Sequence, residues 1–178
     1  MHRSTVKFLL FVLILISAPA VFGQADVKRE KTRERLNILL QREGPGINVS
    51  FRPTEKNQFV FIGTLSGGLK NAESMDVIIS VTQKDTIGFR VFPKYKGAYI
   101  NIDKVRNATQ LLRQVVQFNE RTFLFWGADS DGDVFTGYTF TLESGFPDEA
   151  IKIVLASIKN SDQFVGELRP AIDGSTGQ

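Results

Sequence analysis

Three stretches of this chain alternate apolar and polar residues, and that alternation restricts the fold more than any other feature. Met75, Val77, Ile79 and Val81 fall on one face of an extended segment, with Asp76, Ser80 and Thr82 on the other. Ile87, Phe89 and Val91 repeat the pattern, and Val134, Thr136, Tyr138, Phe140 and Leu142 carry it furthest. Successive side chains of a strand point to opposite faces, so alternation marks a strand with one face buried and the other open. Gln83, Lys84 and Asp85 join the first two runs as a predicted hairpin. Asp129, Ser130, Asp131, Gly132 and Asp133 form a polar turn between a short strand over 122–126 and the long run after it. Residues 59–65 are an apolar run suited to a central strand, and Ile47, Val49 and Phe51 alternate up to Pro53 as a short edge strand.

Helical spacing interrupts the strands three times. Over 27–42, Leu36, Leu39 and Leu40 make one apolar patch on an otherwise charged helix, which Gly44, Pro45 and Gly46 end. A second helix is predicted from a cap at Asp103 to about Phe118, with Val105, Ala108, Leu111, Leu112 and Val115 on its inner side. A third follows Pro147, with Asp148 and Glu149 at its positive end and Ile151, Val154, Leu155 and Ile158 as its buried stripe; Phe164 returns the exit segment to the core. The order α-β-β-β-β-α-β-β-α, with alternating strands and single-striped helices, predicts an α+β fold: an antiparallel sheet with helices packed on one face.

The start of the chain reads as a signal peptide over residues 1–23. His2, Arg3 and Lys7 precede an apolar run from Phe8 to Ile16 and a small-residue region, with cleavage after Gly23 or after Ala25. The apolar run is too short for a spanning helix, so no stable membrane insertion is expected after cleavage. This organisation places one α+β domain over 24–172 and a flexible tail over 173–178, in a periplasmic or secreted protein. Loss of Arg3 and Lys7 leaves 20 basic against 19 acidic residues, so the net charge of +3 falls to about +1. Nucleic-acid binding needs a concentrated basic surface, and none follows Lys31.

The inventory narrows the chemistry further. The chain has no Cys, and its one His is His2, so Ser-His-Asp and Cys-His catalysis and zinc sites built on those ligands are excluded from the segment after residue 23. A hydrolase using paired carboxylates or Ser/Lys chemistry stays open but leaves no signature. Asp129, Asp131 and Asp133 resemble a cation loop, yet the glycine comes too early and the twelfth position is Phe140, so a turn explains them better. No catalytic residue, cofactor or metal ligand is assigned. Aromatic residues are the remaining resource, and Phe92 and Trp126 are the candidate partner-binding residues because their parity sets them opposite the helix-covered face. The expected function is a non-enzymatic protein-interaction or regulatory module with an unidentified protein partner. The alternative is a small-ligand or lipid-binding carrier, with the aromatic cluster around a cavity.

From Thr86 to Phe164 the order of motifs resembles the bacterial YbjN-like family, which is related in fold to the small chaperones of type III secretion. The resemblance rests on Thr86-Ile87-Gly88-Phe89-Arg90-Val91, the helix ending near Asn119, the strand up to Trp126, the Asp129–Asp133 turn with Val134, Glu143-Ser144-Gly145, and the helix after Pro147. It covers roughly residues 28–165. It implies an α+β interaction domain, type III secretion chaperone-like, without an enzymatic motif. The structurally similar chaperones bind partly extended protein segments and often dimerise, so a homodimer is one assembly the resemblance implies.

Overall fold

The computed structural model describes residues 20–175, with side chains from residue 26 onward. Most of the predicted signal segment, and the last residues of the predicted tail, lie outside the described residues. The first helix, α1, spans Ala20–Glu43, so it starts well before the predicted 27–42 and runs through both cleavage points. Its last turns bury Leu36, Leu39 and Leu40. Higher up it is fastened by Arg29, whose guanidinium donates to the Val81 carbonyl at 2.8 and 3.1 Å and lies 3.7 Å from the centre of the Phe59 ring.

The strands are β1 (Arg52–Pro53), β2 (Val60–Leu65), β3 (Ser74–Val81), β4 (Thr86–Tyr95), β5 (Ala98–Tyr99), β6 (Phe125–Ala128) and β7 (Val134–Thr141). They make one antiparallel sheet in the order β1-β2-β3-β4-β7-β6, with β5 added to the end of β4. The β3–β4 and β6–β7 hairpins appear where alternation predicts them. Between β5 and β6 the chain crosses over through α2 (Ala108–Phe118), and α3 (Asp148–Ser157) and α4 (Asp162–Ile172) follow β7. The helices pack their stripes on the face that carries Phe61, Met75, Val77, Ile79, Phe89, Val91 and Phe140. Phe89 and Phe140 meet edge-to-face there, 5.6 Å apart.

Four expectations need correction. Residues 47–51 are no strand: Gly44–Ile47 is a 3-10 turn and Asn48 is left-handed at φ 58°, so Val49 and Phe51 are buried without a sheet partner. Asp103 does not cap α2. The cap is Asn107, which accepts from the Gln110 N–H at 3.0 Å, while Arg106 and Asn107 donate backbone bonds to the C-terminal carbonyls of α4. The strand predicted over 122–126 starts three residues later, as Phe125–Ala128. The fourth helix, α4, was not anticipated: it contains Gly166 and Pro170, yet buries Phe164, Val165, Leu168 and Ala171.

Buried Asp162, at the start of α4, organises the β2–β3 loop. Its carboxylate accepts the backbone N–H groups of Lys70 at 2.7 Å, Asn71 at 3.1 Å and Ala72 at 2.8 Å. Arg169, two turns on, donates to the carbonyls of Lys70 and Asn71. One helix thus satisfies both donors and acceptors of a loop with no ladder of its own. Beyond α4 the predicted tail begins anchored, because Asp173 accepts from the Tyr95 hydroxyl at 3.0 Å and pairs with Lys96 at 2.6 Å. The Lys96 ammonium and Ser175 hold the Asp173 carboxyl well below the usual carboxylate range.

Candidate functional site

Helices cover one side of the sheet, and the register decides what stands on the other. Arg52 pairs with Ile62, Ile62 with Ile78, Ile78 with Arg90, Arg90 with Gly137 and Gly137 with Phe125. These six form one row across the strands. Beside it, Thr64 pairs with Asp76 and Asp76 with Phe92, while Phe135 pairs with Gly127. Residues paired directly across antiparallel strands share a face, so both rows lie on the open side.

An aromatic chain runs through this face. Phe125 meets Phe135 edge-on at 5.6 Å, Phe135 meets Phe92 at 5.5 Å, and Phe92 meets Tyr99 at 5.5 Å. Tyr99 arrives there because the turn at Lys96 and Gly97, both at positive φ, folds β5 back along β4. Phe125 lies against β7 because its partner there is Gly137. A Cβ on that glycine would come within 2.2 Å of the Phe89 carbonyl oxygen and 3.2 Å of the Phe125 ring.

The chain of rings ends in a charged cluster. Asp76 accepts from the Tyr99 hydroxyl at 2.5 Å and the Thr64 hydroxyl at 2.8 Å, and pairs with Lys94 at 2.8 Å. Burial pushes the Asp76 carboxyl up, but the Lys94, Tyr99 and Thr64 bonds outweigh it, so the net shift is downward. Tyr99 is pushed up to about 12, first by burial and then by its bond to Asp76. The two shifts act at opposite ends of the pH scale. The Asp76 contribution is present above the ordinary carboxylate range and is lost as pH falls through its depressed pKa. The Tyr99 contribution is present below the ordinary tyrosine value and is lost as pH rises toward about 12. For Asp76→Asn, thermal midpoints followed against pH should show a shallower acid limb than the parent's. Tyrosinate absorbance should place Tyr99 lower than in the parent yet still raised, because burial is its largest cause. An unchanged acid limb and an unchanged Tyr99 titration would show that the cluster is not formed.

Neither aromatic candidate is exposed, and they stand on opposite faces of the sheet. Phe92 is on the open side, as its parity predicts, but Tyr99 and Phe135 cover it to 6% exposure. Trp126 is on the helix side, 4% exposed and packed 5.4 Å from Phe118 and 5.6 Å from Phe164. The exposed aromatic of this strand is its neighbour Phe125, at 41%. A glycine in the middle of β7 was the signal available for it, since aromatic rings commonly cover strand glycines from the adjacent strand.

The acidic turn is occupied with its own backbone. Asp129 accepts the N–H groups of Asp131 and Asp133, both at 3.0 Å, Asp133 accepts from Asn101, and Gly132 adopts φ 80°. Among the described residues no group of three or more His, Cys, Asp or Glu side chains is placed to hold a metal ion. An open groove of about 470 Å³ lies at the β1 end of the face, its polar wall made by Asn48, Ser50, Arg52, Thr64, Asp76 and Tyr99. Among the described residues no helix is long and apolar enough to cross a membrane.

No family model matches the chain, and no curated protein matches it. A solved structure, the crystal structure of the ExsC–ExsE complex, is similar to it over 76% of this chain and 93% of the matched chain, at a TM-score of 0.44 and 15% sequence identity. Membership of the YbjN-like family therefore stays a resemblance. The expectation of a periplasmic or secreted protein is corrected at this point and goes no further, since the structure found similar is the ExsC–ExsE complex.

Proposed function

We propose that this chain is a non-enzymatic protein-interaction module whose partner docks on the open face of the sheet. The observation that carries this reading is the aromatic chain from Phe125 to Tyr99, flanked by half-buried Ile62 and Ile78, on a face opposite the helix-covered core. Apolar side chains gathered on a surface and rimmed by polar groups have the composition of a docking site. Phe125 and Ile78 replace Phe92 and Trp126 as probes, because both reach the surface. Phe125→Ala and Ile78→Asp should keep the parent's far-ultraviolet circular dichroism and cooperative melting while losing the partner that the parent recovers from native extract. Retention of that partner by both folded variants would defeat the reading.

Two further assignments belong to the same face. A homodimer formed through it would show as a concentration-dependent mass in light scattering that Ile78→Asp abolishes. The polar groove favours a small polar ligand as the second reading; stoichiometric binding of a metabolite, lost on Arg52→Ala, would put that reading first.

A further inference from the structure

Both edges of the sheet are closed to strand addition, and this decides how a partner has to approach. On the outer edge of β6 the Asn119 side chain takes the place of a neighbouring strand: its Oδ1 accepts the Trp126 N–H at 2.7 Å and its Nδ2 donates to the Trp126 carbonyl at 3.3 Å. At the other edge β1 is two residues long and one of them is Pro53, which has no N–H to offer. A partner segment that cannot lengthen the sheet has to lie across it.

The row Arg52–Ile62–Ile78–Arg90 is shaped for such a segment. Arg52 and Arg90 are exposed, and neither takes part in an ion pair among the described residues. Arg90 stacks 4.9 Å from the Phe135 ring centre, which holds its guanidinium on this face. Between the two arginines stand only the isoleucines of β2 and β3. Adjacent strands lie about 4.8 Å apart, so three strand steps set the arginines about 14 Å apart. In an extended chain that distance spans about four residue steps, and the side chains at i, i+2 and i+4 face the same way. Resting on the protein-binding reading above, we propose that the open face recognises an extended segment of a different protein carrying two acidic residues four apart with an apolar residue midway. The carboxylates meet the forks of Arg52 and Arg90, and the apolar side chain sits on Ile62 and Ile78. A second copy of this chain does not supply the segment. Its acidic pairs four apart are Asp26/Glu30, Glu30/Glu34 and Asp129/Asp133, and their midpoints are Lys28, Thr32 and Asp131.

The test is selection of a random dodecamer peptide library on the immobilised parent, with each enriched family titrated against the parent, an Arg52→Glu/Arg90→Glu variant and Ile78→Asp. Both arginines are exposed, and circular dichroism checks that the double variant is folded. Support requires enriched sequences with acidic residues four apart around an apolar one, weakened at least about tenfold by the double variant and by added salt. Enriched peptides without that acidic spacing, lost on Ile78→Asp but indifferent to the arginine reversal, would overturn the inference while leaving the open face as the docking site. Absence of any peptide that depends on the open face, or retention of the parent by DNA or phosphatidylserine vesicles instead, would overturn both.

Discussion

Replacement of Trp126 by alanine is expected to lower stability by about 3–5 kcal/mol, the range for emptying an aromatic site in a packed core. The indole fills the space between α2 and α4, against Phe118 and Phe164, which also touch each other at 4.7 Å. Removing it opens a void bounded by two helices and the sheet, and helices fastened at both ends collapse into such a void only in part. At roughly 3 °C per kcal/mol for a chain of this size, the thermal midpoint should fall by about 10 °C or more. Trp126→Phe separates volume from polarity. The indole Nε1 is buried without a hydrogen-bond acceptor among the described residues, so exchanging it for a phenyl ring removes an unsatisfied donor along with part of the volume. Its loss should stay under about 2 kcal/mol. A Trp126→Ala protein that melts like the parent would mean that the α2–α4 seam is not packed on β6. Trp126 is thus a probe of folding, and loss of partner recovery in its alanine variant would say nothing about a binding surface.

Asp162→Ala should have the second large effect, about 3 kcal/mol. Hydrogen bonds to a charged acceptor are worth more than neutral ones, and deletion of the acceptor strands the donors instead of merely weakening them. Three consecutive backbone N–H groups, from Lys70 to Ala72, point at this one carboxylate. Water reaches the Lys70 end, which is exposed, but not Ala72, which is buried. Hydrogen exchange should report the damage locally, with the amides of Asn71 and Ala72 losing protection before those of β3. Asp162→Asn keeps one acceptor oxygen and should lose roughly half as much. If alanine and asparagine melt alike and the loop amides stay protected, the loop is held by Arg169 and its own turns, and the role given to Asp162 fails.

The two residues mark the boundary between what the chain declares locally and what it declares only when folded. Alternation over Met75–Val81, Ile87–Val91 and Val134–Leu142 fixed the antiparallel sheet, its two hairpins and the side on which the helices sit, because a period of two is a property of adjacent residues. The Asp129–Asp133 turn was equally legible, since its hydrogen bonds close within five residues. The fourth helix was hidden by Gly166 and Pro170, whose low helix propensity is overridden by burial of Phe164, Val165, Leu168 and Ala171. Which side Trp126 takes is set by its pairing with Thr136 of β7, and Phe92 is covered because Tyr99 folds back from β5. The row that joins Arg52 to Arg90 spans four strands and is set by the pairing of β1 with β2, β2 with β3, and β3 with β4. The sequence by itself determined the layers and the inventory of side chains. Only the tertiary structure decided which of them share a surface, because cross-strand register is a contact between residues far apart along the chain, and no local period encodes it.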